Sequence, residues 1–166
     1  MHFEDRRVYG QYRAHTRGRA GSRRCLRARH RQTLSRIGDR RRFAFDRKDG
    51  VAGAGAPIAC RKAPDKRLVA VASRSHRSAE TDEFLATLDI ADFAAAGSSL
   101  KFCLIAEGLA DVYPRLGRTM EWDTGAGQAV LEAAGGRVIE FGAQTPLRYG
   151  KRDRGFDNPH FIAWGG

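Results

Sequence analysis

The sequence predicts an α/β fold for residues 43–166, and three observations support this. Apolar runs of strand length, such as Leu68–Ala72, alternate along the chain with segments whose apolar residues recur at helical spacing. Glycine pairs and short polar residues punctuate these segments. Apolar runs also fall well short of the roughly 18 residues of a membrane-spanning helix. Alternating strands and helices indicate a layered α/β sandwich.

The predicted elements follow one another closely. Strands are expected at residues 42–46, 68–72, 92–96, 110–113, 137–140 and 161–164, with a short extended piece at 147–149. Helices are expected after Ser78, over 100–107 and from 123 to 134. Ser78 can cap its helix, and Gly135-Gly136 forms a C-cap for the last one. The strand at 68–72 delivers Ser73–Arg77 at its carboxyl end, where open α/β sheets bind ligands.

The positive charge is confined to the first third of the chain. Residues 1–50 carry 16 Lys+Arg against 5 Asp+Glu, whereas residues 51–166 carry 14 of each. Only Lys48 among those 16 cations is lysine, and residues 1–42 show no helical or strand periodicity. We therefore expect an irregular arginine-rich segment over residues 1–42 and the C-terminal α/β domain of the protein over 43–166.

Three interpretations of the arginine-rich segment stay open. It can be a nucleic-acid-binding arm, a tail without a selected role, or the product of a shifted reading frame, because GC-rich DNA translated out of frame yields excess arginine. One choice of codons for residues 8–15, read one base along, encodes an apolar alternating strand. The DNA of the gene decides this hypothesis, which fails if no other frame across codons 1–42 encodes a patterned strand.

The three cysteines, Cys25, Cys60 and Cys103, are odd in number and far apart. This spacing argues against a disulfide framework or a zinc site, and it favours a reducing compartment such as the cytoplasm.

The stretch Glu121–Gly127, which opens a helix with an apolar stripe, is the strongest candidate for a site. Asp123 can cap the helix, or it can offer carboxylate oxygens to Mg²⁺ at the positive end of the helix dipole. Gly125 and Gly127 allow close approach of backbone and ligand. These residues alone do not decide between the two roles of Asp123.

A second candidate is Gly97–Lys101 (GSSLK), a tight turn at the start of a predicted helix. Such a turn can present N–H groups and hydroxyls to a phosphate, with Lys101 adding a point charge. From the residues alone, an N-cap followed by a solvated lysine is the simpler interpretation. His76 is likewise most simply a capping or core histidine.

Three motifs, taken together, resemble the Mg²⁺-dependent phosphatases of the inositol monophosphatase family, and most closely their bacterial 3'(2'),5'-bisphosphate nucleotidase branch. They are Ser73–His76, Gly97–Lys101 and Trp122–Gly127, and the resemblance covers about residues 43–166. It implies the C-terminal portion of a layered αβαβα sandwich. It also implies that Asp123 is a catalytic residue that binds Mg²⁺ and substrate, and that Ser73, His76, Gly97 and Lys101 bind the nucleotide. Tyr113 and Arg115 are expected to line that site.

The metal-binding Glu and the Asp-Pro-x-Asp-Gly-Thr loop of the family's first half do not occur in this sequence. A single aspartate does not satisfy the near-octahedral oxygen ligation of Mg²⁺. The resemblance therefore predicts a truncated and nearly inactive phosphatase, with a small phosphorylated nucleotide as substrate, a homodimeric state and no nucleic-acid partner. Inositol or fructose bisphosphate hydrolysis on the same fold, and nucleic-acid binding by the arginine-rich segment, are the alternatives.

Overall fold

The computed structural model of the chain describes residues 23–27, 32–37, 41–48, 51–72, 77–96 and 100–166. Within them, the backbone forms a four-stranded antiparallel sheet and a five-stranded mixed sheet, with helices packed between and outside them. No helix in the described part of the chain is both long and apolar enough to cross a membrane.

The antiparallel sheet lies at the start of the chain. It contains β1 (Arg23–Arg27), β2 (Gln32–Ile37), β3 (Arg41–Lys48) and β4 (Val51–Pro57), which pair in sequence order. The backbone over β1 and β2 thus differs from the irregular segment that the composition predicts. The physical reason is that both strands are specified by pairing, β1 with β2 and β2 with β3, rather than by an alternating apolar pattern of their own.

The mixed sheet has the order β6-β5-β7-β9-β8. Its strands are β5 (Leu68–Val71), β6 (Ile90–Ala94), β7 (Val112–Arg115), β8 (Arg137–Glu140) and β9 (Phe161–Trp164). β5 runs parallel to both β6 and β7, while β9 is antiparallel to β7 and β8. The carboxyl ends of β5 and β7 therefore meet at one edge of the sheet.

Helices cover both faces of the mixed sheet. α2 (Leu100–Ala106) and α3 (Glu121–Ala133) pack on each other and on strands of both sheets, while α1 (Ala79–Ala86) packs on β7. The core follows the strand alternation: Val71 and Tyr113 join the α2–α3 cluster, while Ala70 and Val112 join the cluster with Leu85 of α1. The layers are thus the antiparallel sheet, then α2 and α3, then the mixed sheet, then α1. This order confirms the α/β class and part of the αβαβα layering.

Several element boundaries differ from the sequence prediction. β7 continues through Pro114. Proline is tolerated there because β5 pairs with β7 only at Ala70–Val112, so that the later residues of β7 pair with β9 alone. The predicted extended piece at residues 147–149 lies outside the strands and follows Pro146, which makes an isolated bridge with Ile139. The Ser78 cap is confirmed, since its hydroxyl accepts a hydrogen bond from the Thr81 N–H.

Candidate active site

A cleft of about 130 Å³ opens at the shared carboxyl edge of β5 and β7 and is partly open to solvent. Its lining is formed by Ala72, Arg77, Ser78, Thr81, Lys101, Tyr113, Pro114, Arg115, Leu116 and Gly117. Among these described residues there are three cations and no carboxylate. Because a cleft lined by one sign of charge concentrates ions of the opposite sign, its chemistry favours an anionic ligand.

Lys101 is buried in the wall of this cleft. Only 6% of the residue is exposed, and its Nζ lies 5.1 Å from the centre of the Tyr113 ring. Burial, together with the nearby charge of Arg115, lowers the pKa of Lys101 to about 8. The interpretation of Lys101 as a solvated lysine is therefore wrong, because the packing of α2 against β7 carries the side chain inside.

Arg115 supplies a second donor group to the cleft. One of its terminal nitrogens donates to the Arg118 carbonyl at 2.9 Å, while its Nε is buried without a hydrogen-bond partner among the described residues. A buried polar atom left without a partner is rare in proteins, and it often marks a place where a ligand or ion binds. Arg77 is less available, because its Nε lies 2.6 Å from Asp82.

Tyr113 connects the cleft electrostatically with the start of α3. Burial raises the pKa of Tyr113 to about 12; the charge of Arg115 opposes this rise and the negative charge of Asp123 adds to it. Lys101, Tyr113 and Arg115 line the cleft together, and the charge of Asp123 acts on the Tyr113 phenol from the start of α3.

Asp123 is the third residue of α3 rather than its N-cap, because the helix begins at Glu121. Its side chain is exposed, and Oδ2 accepts a hydrogen bond of 3.1 Å from the Met120 N–H just before the helix. The carboxylate thus accepts from the free Met120 N–H, as the capping interpretation expects, while the side chain stays exposed to solvent. Both roles considered for Asp123 are compatible with this geometry.

The three other predicted substrate-binding residues, Ser73, His76 and Gly97, lie outside the described residues. Their roles stay predictions. Ala72 and Arg77, the described residues on either side of the Ser73–His76 motif, both line the cleft.

A polar network holds the start of α3 against the loop at residues 147–158, and the sequence analysis did not anticipate it. The Glu121 carboxylate accepts from the Gly150 N–H at 2.8 Å, from the Lys151 N–H at 2.9 Å and from Lys151 Nζ at 3.2 Å. Lys151 Nζ also donates to Asn158 Oδ1 at 3.2 Å, and Asn158 Nδ2 donates to Thr124 Oγ1 at 3.1 Å. The turn of helix that carries Asp123 is thereby fixed in orientation.

Glu121→Gln is expected to lower the free energy of unfolding by about 1–3 kcal/mol. The Glu121 side chain is only 11% exposed, and the neutral amide would weaken the charge-assisted hydrogen bonds that the carboxylate accepts from Gly150 and Lys151. Burial alone would raise the pKa of Glu121, but the N–H groups of Gly150 and Lys151 and the ammonium of Lys151 hold it below its ordinary value. The stabilisation is therefore present above the unfolded pKa and is lost as the pH falls through the folded one.

Urea unfolding of the wild type and of Glu121→Gln, between acidic and neutral pH, measures the difference in their free energies of unfolding. Glu83→Gln serves as the control, since Glu83 is exposed on α1 and is expected to change stability by less than about 0.5 kcal/mol. Equal losses in the two variants would contradict the assigned role of Glu121.

The described residues do not by themselves fit a magnesium cluster. Within them, no group of three His, Cys, Asp or Glu side chains is arranged to hold a metal ion. Asp123 offers one carboxylate, whereas Mg²⁺ requires about six oxygen ligands in octahedral geometry.

Relatives of known sequence share the same region. The chain is 50% identical over 91 residues to the 3'(2'),5'-bisphosphate nucleotidase CysQ of Escherichia coli K12, a match that covers 55% of this chain and 36% of the relative. It is 65% identical over 74 residues to a protein of the pss 5' region in Rhizobium leguminosarum bv. phaseoli, covering 42% of this chain and 77% of that one. The matched region is thus about a third of the length of the nucleotidase.

Solved structures extend the likeness to the fold. CysQ from Bacteroides thetaiotaomicron, described as a bacterial member of the inositol monophosphatase family, superposes with a TM-score of 0.69 at 36% identity, over 81% of this chain and 54% of that one. SuhB of Mycobacterium tuberculosis shares the fold, with a TM-score of 0.57 at 19% identity over 82% of this chain and 49% of that one.

The sequence pattern of the inositol monophosphatase family matches residues 39–160, which is more than half of the chain. The resemblance carried by the three motifs is thereby confirmed. The chain belongs to the inositol monophosphatase family.

Proposed function

We propose that this chain provides the nucleotide-binding part of an Mg²⁺-dependent phosphatase that removes the 3'(2') phosphate from adenosine 3',5'-bisphosphate and similar nucleotides. The observation that carries the proposal is the cationic cleft, in which Lys101 is buried and Arg115 Nε is a buried donor without a partner among the described residues. A phosphate dianion would satisfy both groups. The likeness to CysQ supports the choice of a nucleotide as substrate.

In this proposal, different residues bind the phosphate, the nucleotide and the metal ion. Lys101 and Arg115 bind phosphate oxygens from the cleft wall, while Ser73, His76 and Gly97 contact the nucleotide. Asp123 contributes one Mg²⁺ ligand and meets the substrate at the start of α3, which the Glu121–Lys151 pair orients. Because the described residues do not complete a metal site, no hydrolytic step is assigned to this chain alone.

Binding of adenosine 3',5'-bisphosphate to the purified chain, measured by titration calorimetry, tests the proposal. Lys101→Met and Arg115→Met are each expected to weaken binding by about 10- to 100-fold, since a hydrogen bond to a charged group contributes about 1.5–3 kcal/mol. Lys62→Met is the matched control, because Lys62 is exposed and does not line the cleft. If binding is absent, or if it survives both cleft substitutions, the assignment of this cleft is wrong.

The purified chain is expected to release little or no phosphate from the same nucleotide in the presence of Mg²⁺, because one carboxylate cannot hold the metal cluster. Phosphate release at rates typical of enzymes would refute this expectation. Assays of the chain on a panel of nucleotide, inositol and fructose bisphosphates would then identify the substrate class.

The resemblance also leads us to propose a cytoplasmic location and a homodimeric state. The three cysteines of the chain are odd in number and far apart, which is typical of a reducing compartment. The competing function, nucleic-acid binding by residues 1–42, predicts salt-sensitive binding of unrelated DNA and RNA that is lost when those residues are deleted.

A further inference from the structure

Lys101 has the surroundings of a nucleophilic lysine. Only 6% of the residue is exposed, its Nζ lies over the ring of Tyr113 at 5.1 Å from the centroid, and it lines the same cleft as Arg115. Enzymes activate lysine amines by desolvation in an apolar pocket or by a neighbouring cation. Both conditions hold here, because Lys101 is buried and Arg115 is its charged neighbour.

The same cleft can hold a phosphate group beside this amine. The unpartnered Nε of Arg115 offers a donor. Arg77 also lines the wall, with its charge shared with Asp82, and no carboxylate is found in the described lining. A small phosphorylated molecule held by these cations would place its other functional groups next to Lys101. An aldehyde is the functional group that an unprotonated amine attacks reversibly.

We propose that Lys101 is a modification site that forms a reversible imine with phosphorylated aldehydes entering the cleft. The amine lone pair adds to the aldehyde carbon, a proton moves from nitrogen to the former carbonyl oxygen, and loss of water leaves a carbon–nitrogen double bond. No electron donor or acceptor is needed, and hydrolysis restores the lysine. Bound aldehyde excludes the nucleotide, so the modification inhibits binding at the proposed site.

Protonation explains why Lys101 is selected over the other lysines of the chain. With a pKa of about 8, a far larger share of its amine is unprotonated near neutral pH than in an ordinary lysine. Lower basicity offsets part of this gain, so labelling about tenfold faster than at the exposed Lys62 and Lys66 is expected. The inference rests on the anion-binding cleft of the proposed function, and it adds covalent chemistry to it.

Pyridoxal 5'-phosphate is the probe, since its imine absorbs visible light and borohydride traps it as a stable secondary amine. The full chain is incubated at pH 7.5, reduced and digested, and the labelled lysine is identified by peptide mass mapping among the five lysines of the chain. Selective labelling of Lys101, protection by inorganic phosphate and much slower labelling by pyridoxal, which lacks the phosphate, are expected. Lys101→Arg keeps the positive charge but removes the reactive amine, and it should abolish the selective signal.

Even labelling of all lysines, or an unchanged signal in Lys101→Arg, would overturn the inference. If adenosine 3',5'-bisphosphate binds by calorimetry while Lys101 stays unlabelled, the imine fails and the proposed function stands. If Lys101 is labelled selectively but the nucleotide neither binds nor protects, the imine stands and the nucleotide is not the ligand of the cleft. Melting curves of each variant exclude loss of folding as the cause.

Discussion

Arg61→Met is expected to lower the free energy of unfolding by about 1–3 kcal/mol, because it removes the charged partner of a buried carboxylate, although the Arg61 side chain is itself 41% exposed. Asp111 is fully buried, and it accepts hydrogen bonds from Arg61 Nε at 2.7 Å and from the Val69 N–H at 2.7 Å. Without the guanidinium, this carboxylate keeps the Val69 N–H but loses its compensating charge. The pair also ties the segment before β5 to the start of β7.

The pH dependence gives this prediction a second test. Burial alone would raise the pKa of Asp111, but the hydrogen bonds from Arg61 and from the Val69 N–H hold it below its ordinary value. The stabilisation is therefore present above the unfolded carboxyl pKa and is lost as the pH falls through the folded value. The stability difference between wild type and Arg61→Met should shrink at acidic pH.

Urea unfolding at several pH values measures both effects. Arg148→Met is the control, because Arg148 is exposed and its substitution is expected to change stability by less than about 0.5 kcal/mol. In the double variant Arg61→Met/Asp111→Asn, part of the loss should be recovered, since the neutral amide needs no compensating charge and its oxygen can still accept from the Val69 N–H. The assigned role of the pair would be contradicted if the stability losses of the two single variants simply added in the double variant, or if Arg61→Met were as stable as wild type.

Gly127→Ala is expected to destabilise the fold by about 1–3 kcal/mol, although alanine is the better helix former. A Cβ at this position would lie 2.6 Å from Phe102 Cδ2 and 2.9 Å from its Cγ. The Phe102 ring cannot move aside easily, because it packs edge-on against Tyr113 at 5.4 Å and stacks on Phe161 at 5.9 Å. The substitution therefore forces α2 and α3 apart.

Gly125→Ala is the matched control in the same helix. Its Cβ would meet only the Tyr149 ring, at 3.7 Å, which is ordinary van der Waals contact, so a neutral or stabilising change of up to about 1 kcal/mol is expected. Thermal unfolding compares the two variants. Because Phe102 follows Lys101 on α2, Gly127→Ala should also weaken nucleotide binding. Equal stability of the two variants would show that α2 and α3 adapt to the added methyl group.

The sequence-based expectation for the glycines is thus only partly right. The motif predicts close approach, and Gly127 does permit one, but the neighbour is Phe102 of the adjacent helix rather than a ligand. A single sequence shows that a small residue stands at a position, and it does not show what lies opposite. The opposing residue is chosen by how α2 and α3 cross.

Local signals in the sequence were sufficient for most elements of the α/β region. Apolar runs and helical spacing predict β5, β8, β9 and the three helices because each pattern is read within a few neighbouring residues. The Ser78 cap follows from the same local rule. Strands β1 and β2 were not predicted, since their arginine-rich residues show no alternation and their conformation depends on pairing between strands.

By itself, the sequence determined the α/β class, the family and the candidate residues Lys101 and Asp123, because periodicity and motif spacing are written in the order of residues. Only the tertiary structure decided that Lys101 is buried beside Arg115, that Arg61 pairs with Asp111 and that Glu121 pairs with Lys151. The partners in the two ion pairs are 50 and 30 positions apart along the chain. Their burial and their charge interactions depend on which segments the folded sheets and helices bring together.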